Sequence, residues 1–310
     1  MLAGRQTRPY LILTLIATLW GSYPVFAKVA LAHFPPYVLV ALRTSLASVF
    51  LAVLLFRRGF DDFRALSWGD LRTFAVLGFT GIFVSTGGTY LGIAFTTASS
   101  AALLQAASPV MVAIGAWLYL HERLRRRQWA GVILSALGVL LVVTRGSWRA
   151  IAHLELLPGD FIILLGQAGW AVYTVYGKRV LAVHSPAVAT TAAYVLGSVM
   201  LLPVPFLTAR FFPAPDWTSA TAWAVVAIQG ILGAIAHVWW YEGVHRVGAS
   251  RAGIFMNLQP VVGVVLAWVM LGETIEPAEI VGGLAVLAGV GLTTRVGPRA
   301  GPAARPAGSP

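Results

Sequence analysis

The sequence predicts an all-α membrane protein: ten transmembrane helices, as two inverted five-helix repeats around a central cavity, with N and C termini cytoplasmic. Three observations lead there. Apolar runs of about 20 residues recur along the chain, special residues recur at a separation of 150 or 151, and Lys and Arg crowd onto alternate connections.

The apolar runs come first. The chain has 310 residues, 58% hydrophobic and 11% charged, with mean hydropathy +0.80, whereas a soluble domain is nearer a quarter charged. The runs cover about 10–31, 37–56, 72–93, 99–119, 128–144, 160–181, 187–207, 222–243, 251–271 and 278–294. As helices, such lengths cross about 30 Å of hydrocarbon. Cysteine is absent, which excludes disulfide frameworks, thiolate catalysis and Cys-based metal sites. No P-loop, metal-ligand cluster or nucleophile constellation stands in the sequence, so no cofactor is expected, and an ATPase or membrane hydrolase is disfavoured.

Charge placement orients the chain. With the N-terminus inside, seventeen Lys and Arg fall on that side, among them Arg57, Arg58 and Arg123 to Arg127. Lys28, Arg145, Arg149 and Arg210 fall outside, and Arg43 lies within the second run. Positive charge accumulates on cytoplasmic loops, so both termini are predicted inside. The basic inner surface accounts for the net charge of +11 without nucleic acid. Arg5 and Arg8 resemble the start of a signal peptide, but the first run is too long for one, and its counterpart at 160–181 lies mid-chain. The expected organisation is a cytoplasmic N-terminus (1–9), a first repeat (10–145), an external connection (146–159), a second repeat (160–295) and a disordered cytoplasmic tail (296–310).

The repeat is visible residue by residue. Trp20, Tyr23, Lys28 and Pro36 match Trp170, Tyr173, Lys178 and Pro186 at a separation of 150. Tyr90, Gly92, Ala98-Ser99, Pro109, Trp117, Glu122, Gly131 and Gly138 match Tyr241, Gly243, Ala249-Ser250, Pro260, Trp268, Glu273, Gly282 and Gly289 at 151. Five crossings per half is an odd number, so the second copy enters from the opposite face. Inverted repeats of this kind build secondary transporters whose site lies near the midplane between the halves.

These residues resemble the EamA-type branch of the drug/metabolite transporter superfamily. The likeness rests on Trp20-Gly21 followed by Lys28, on Arg43, and on the Ala-Ser pairs before the fourth and ninth runs. It rests further on Pro109 and Pro260, and on Glu122 and Glu273 before Gly-rich helices. It spans residues 10 to 295 and is nearest in character to bacterial amino-acid exporters, including the aromatic amino-acid type. The resemblance implies ten helices in the inner membrane, a central cavity and export of small metabolites. A membrane enzyme on lipid or isoprenoid substrates would show Asp- or His-rich interfacial motifs. A flippase-like carrier on the same fold would need a basic headgroup pocket. The partners expected are the bilayer and a small metabolite such as an amino acid, with a monomer compatible with the sequence.

Candidate site residues follow from depth. Trp and Tyr usually mark the interfaces, which covers Trp68, Trp117, Trp129 and Trp217. Trp20 and Trp170 lie about ten residues into their runs, where an interfacial belt does not reach, leaving a cavity role or packing between helices. Tyr23, Gln167 and Tyr173 accompany them. Gln229, Gly233, His237 and Tyr241 are each four apart on one stripe, with Trp240 adjacent. Intramembrane ionisable residues are by default functional, and His237 has two open roles, cavity lining or a local bond to a helix carbonyl. Tyr90 joins as the counterpart of Tyr241. Gln105 and Asn257 precede Pro109 and Pro260, whose missing N–H leaves a carbonyl unpaired at depth. Arg43 either snorkels outward or holds a substrate carboxylate. Lys28 and Lys178 are expected to complement the C-terminal dipoles of their own helices. No Asp or Glu lies at the centre of any run; Glu242 is the deepest.

Overall fold

The computed structural model describes residues 3–57, 67–121, 124–147, 157–247, 255–256 and 258–294. Their regular structure is helical throughout: α1 (Ala3–Ala30), α2 (Pro36–Phe56), α3 (Trp68–Leu77), α4 (Gly88–Ala94), α5 (Ala98–Gln105), α6 (Ser108–Leu120), α7 (Arg126–Thr144), α8 (Pro158–Val180), α9 (Pro186–Leu201), α10 (Val204–Thr208), α11 (Ala220–Ala227), α12 (Gly233–Val247), α13 (Leu258–Leu271) and α14 (Pro277–Thr294). A π-helical stretch, Gly78–Gly87, joins α3 to α4, and a shorter one, Ile228–Leu232, joins α11 to α12. A turn at Ala106 and Ala107 separates α5 from α6 just ahead of Pro109, because proline cannot supply the N–H that would continue α5.

Among the described residues, seven helical stretches are long and apolar enough to cross a membrane: Leu11–Ala30, Pro36–Phe56, Trp68–Ala94, Ala98–Tyr119, Arg126–Thr144, Pro186–Phe211 and Ala220–Trp240. Leu258–Leu271 and Pro277–Thr293 are apolar but shorter. Pro158–Val180 is 23 residues long and lacks the hydropathy because Asp160, Gln167, Trp170, Tyr173 and Tyr176 dilute its Leu, Ile and Val.

Lipid tails are as apolar as leucine, so close backbone approach, more than apolar burial, decides which helices meet. A Cβ added to Gly131 would lie 2.5 Å from the Gly289 carbonyl, and one on Gly138 2.6 Å from that of Gly282. The reverse contacts are equally tight, at 2.5 and 2.7 Å. These four glycines seat α7 directly against α14, and the two run antiparallel. The other pairings come in exchanged couples. α1 packs on α13 and α12, as α8 packs on α6 and the first π stretch; α2 packs on the second π stretch, as α9 packs on the first. α2 and α9 also meet each other, with the Ser48 and Ser198 hydroxyls 2.9 Å apart.

Connections gather at two ends. At one, the His33 carbonyl accepts from Asp216 N–H, and His33 Nδ1 stands 3.3 Å from the Asp216 carboxylate. Lys28 Nζ donates to the carbonyls of Ile93 (2.9 Å) and Thr96 (2.6 Å). Lys28 therefore caps the C-terminus of α4, not of its own helix, because the chain turns there and brings the end of α4 within reach. Glu273 accepts from the Ala98 and Ser99 amides at the start of α5, at 2.7 and 2.9 Å, where a carboxylate complements the helix dipole. Thr96 donates to Asp160, and Ser100 to Glu279 at 2.8 Å. At the opposite end, His184 stands 2.8 Å from Asp70, and Gln128 donates to the Thr293 carbonyl at 3.1 Å.

Candidate substrate site

The special residues of the two halves converge where α1, α2, α4, α8, α9 and α12 approach one another. Arg43, on α2, is 4% exposed. It does not snorkel: its Nη1 donates to the Tyr90 hydroxyl at 2.6 Å, and its guanidinium carbon lies 5.5 Å from the Tyr23 ring and 5.0 Å from the Tyr90 ring. Cation–π contact of this kind is strongest when desolvated. Tyr90 in turn donates to Gln229 Oε1, and Gln229 Nε2 donates to the Tyr23 carbonyl at 3.1 Å. The Tyr23 hydroxyl reaches the Gln229 carbonyl at 3.4 Å. One chain of polar contacts thus fastens α1, α2, α4 and the second π stretch. The Arg43 Nε has no hydrogen-bond partner among the described residues.

Beside this knot lies an aromatic cluster. The Trp20 and His237 rings are 4.9 Å apart, Trp20 and Trp240 5.8 Å, Trp170 and His237 6.4 Å, Tyr194 and His237 5.5 Å, and Trp170 and Tyr173 5.3 Å. His237 Nδ1 stands 2.9 Å from the Gly233 carbonyl and 3.4 Å from the Tyr194 hydroxyl. A carbonyl only accepts, so Nδ1 carries the proton, and in the neutral ring Nε2 is left as an acceptor. The Trp20 indole Nε1 is buried without a partner. Trp20, Trp170, His237 and Trp240 are only half-buried although their rings meet across three helices.

The π stretches make this convergence possible. A π turn shifts a helix by one residue and recurs at functional sites. Here the two overlap in matching places of the two halves, and each has a glycine in it or next to it that meets a tyrosine of the other half. A Cβ on Gly81 would lie 2.4 Å from the Tyr173 ring, and one on Gly233 2.6 Å from the Tyr23 hydroxyl, so only glycine admits these side chains.

The remaining candidates separate. Gln167 is 5% exposed and accepts from Ser108 at 2.5 Å, tying α8 to α6. Gln105 Nε2 returns to the Ala101 carbonyl of its own helix at 3.1 Å, and no contact among the described residues brings it to the cluster. The Tyr241 side chain and Asn257 lie outside the described residues. Gln229 joins the cluster from the predicted stripe, where spacing alone gives it no distinct role; Tyr194 is not expected from the sequence, since "AAYVLG" reads as ordinary packing.

Described residues whose regular structure is helical, with seven membrane-length apolar spans among them and a polar, aromatic cluster fed from both halves, make this a multi-pass integral membrane protein of the transport class, in bacteria one of the inner membrane. The chain belongs to the EamA-like transporter family, whose model matches twice, over residues 7–144 and 157–295. It is 29% identical over 282 residues to the transporter YyaM of Bacillus subtilis, covering 91% of this chain and 92% of that one. It is 30% identical over 286 residues to the "Probable terminal-alkyne amino-acid exporter" of Streptantibioticus cattleyicolor, covering 92% of each. It is 26% identical over 288 residues to the "Probable amino-acid metabolite efflux pump" of Salmonella typhimurium, covering 89% of this chain and 91% of that one. A solved crystal structure shares the fold with a TM-score of 0.64 at 20% identity, covering 93% of this chain and 97% of its own.

Proposed function

We propose that this chain exports neutral amino acids, chiefly aromatic ones, by alternating access, as a uniporter. The observation that carries the reading is the cluster itself: the rings of Trp20, Trp170, Trp240 and His237 gathered across three helices, with the buried Arg43 guanidinium against the Tyr23 and Tyr90 rings. The rings would hold an apolar or aromatic side chain, and the guanidinium complements a carboxylate. Glutamate or lysine would carry an extra charge into a site with nothing to pair it. Two relatives are named for amino-acid or amino-acid-metabolite export, which supports the same substrate class.

The accompanying architecture is ten crossings in two inverted halves, both termini cytoplasmic. Equivalent residues meeting each other, Ser48 with Ser198, support a two-fold relation between the halves. The antiparallel run of Gly131–Gly138 against Gly289–Gly282 supports an axis in the membrane plane, since an axis along the normal would leave equivalent helices parallel. A reporter fused after Arg299 should read cytoplasmic, and one near Ser147 external; both on one side would end the ten-helix topology.

Transport is tested in proteoliposomes by counterflow of labelled phenylalanine at equal pH on both faces. Uptake is expected without an imposed proton gradient. A second reading, proton antiport, is favoured by one observation, the imidazole of His237 at the centre of the ring cluster. Strict dependence on a proton gradient, abolished by His237→Ala or Glu242→Gln, would establish it in place of uniport.

A further inference from the structure

Arg43 brings a charge balance to the site that depth alone did not reveal. Its guanidinium is buried, and no carboxylate among the described residues reaches it. Asp70 is taken by Ser67 and His184, and Asp216 by Thr218 and His33. Asp160 accepts from Thr96, Glu273 from Ala98 and Ser99, and Glu279 from Ser100. Glu276 is exposed, three residues from Glu279. The groups that do face Arg43 are neutral: the Tyr90 hydroxyl and the Tyr23 ring, with Gln229 behind them. Desolvating a cation is costly unless a partner repays it, and among the described residues Nε still lacks one.

The site therefore treats the two ends of an amino acid unequally. For a carboxylate it offers a full positive charge beside Tyr23, whose hydroxyl is held among the described residues by one long contact, 3.4 Å to the Gln229 carbonyl. For an ammonium the described residues offer neutral acceptors: the imidazole Nε2 of His237, the ring faces, and the Trp20 carbonyl that Pro24, lacking an N–H, cannot bond. The ammonium also sits in the field of Arg43, which is poorly screened away from water.

Resting on the reading of this cluster as the substrate site, we propose that it selects its ligand by the carboxylate and does without the ammonium. The carrier then takes, beside amino acids, aromatic monocarboxylates with no basic nitrogen, such as aryl 2-oxo acids. The corresponding amines, which keep the ring and the ammonium but lose the carboxylate, are excluded.

The test compares phenylalanine, phenylpyruvate and phenethylamine on wild-type protein. Binding is read by intrinsic tryptophan fluorescence in detergent, and transport by counterflow in liposomes. Phenylpyruvate should compete with labelled phenylalanine at or below the concentration at which unlabelled phenylalanine does, and phenethylamine should need at least tenfold more. Arg43→Gln should weaken phenylpyruvate at least tenfold; if that variant does not fold, the three-ligand comparison on wild type decides alone. Phenylalanine transport with no phenylpyruvate competition, or phenethylamine matching phenylpyruvate, would overturn the proposal and leave amino-acid export standing. Phenylpyruvate transport without phenylalanine transport would do the reverse. Neither ligand binding would end both.

Discussion

Trp20 and Trp170 sit 150 residues apart in helices that play the same part in the two halves, and so do Tyr23 and Tyr173, each laid against a glycine of the opposite half. Arg43 has no such twin, because Ala193 stands 150 residues on; at the 151 spacing of the next helices, Gln229 answers to Gly78 and His237 to Thr86. In the cluster, the duplicated residues Trp20, Trp170, Tyr23 and Tyr173 are aromatic, whereas Arg43, Gln229 and His237, which bring the guanidinium, the amide and the imidazole, stand outside the duplication. Duplication explains the frame: two copies of one fold must meet through self-complementary surfaces, as Gly131–Gly289 and Gly138–Gly282 do. It does not explain chemistry. A ligand with a carboxylate at one end is not symmetric, and a site that reads it departs from the repeat where the two halves touch it.

That division is open to breaking. The largest effect is expected at a duplicated position. Gly138→Leu drives a side chain into the Gly282 backbone, and overpacking of this kind costs about 1–3 kcal/mol or more, so folded protein in the membrane should drop sharply. Arg43→Gln comes next and should separate the two classes. Transport should fall roughly 10- to 100-fold, the worth of a charge-assisted hydrogen bond. The melting temperature should hold or rise, since replacing an unpaired buried charge by a neutral group is often stabilising. A variant that loses both together would place Arg43 in the frame.

Trp20→Ala and Trp170→Ala are both expected to lower transport while leaving folded protein. The first should cost more, because Trp20 packs on His237 and Trp240 at 4.9 and 5.8 Å whereas Trp170 lies 6.4 Å from His237. Equal losses would restore symmetry to the site, and normal transport in both would remove the pair from it. A double-mutant cycle between Ser48→Ala and Ser198→Ala should give a coupling of about 0.6 kcal/mol, the usual worth of a hydrogen bond between membrane helices, with transport unchanged.

The smallest effect belongs to the exposed contact of His33 with Asp216. The Thr218 hydroxyl and amide, and then His33, hold the Asp216 carboxyl below its ordinary value of 3.8. A depressed value means the contact stabilises above 3.8 and is lost as pH falls below it. Amide protection over residues 216–219 should drop on that acid side and lose its pH dependence in Asp216→Asn, with transport at neutral pH unaffected.

Much of the frame was legible because duplication writes itself twice. Trp20 with Trp170, the proline pair and the glycine pairs stand out against apolar runs that otherwise look alike. The π stretches were not legible, since nothing in an apolar run marks where a helix takes in an extra residue. For the same reason the stripe from Gln229 to Tyr241, drawn on uniform spacing, passes over the turn that aims Gln229 at Tyr90. The fate of Arg43 was undecidable from depth: snorkelling and burial differ only in whether Tyr90, 47 residues away, is there to receive it. Lys28 misled in the same way, being close to its own helix end and closer still to that of α4. Tyr194 gave no signal, for one tyrosine among alanine, valine and leucine is what a packed helix looks like.

Binding stoichiometry tests the division between frame and chemistry most directly. Two repeats with one site each would bind two ligands; two repeats framing a single unsymmetrical site bind one. Isothermal titration of purified protein with phenylalanine should give one ligand per chain, and Arg43→Gln, melting at the wild-type temperature or above, should bind at least tenfold more weakly. Two equivalent ligands per chain, or unchanged affinity in Arg43→Gln, would contradict it.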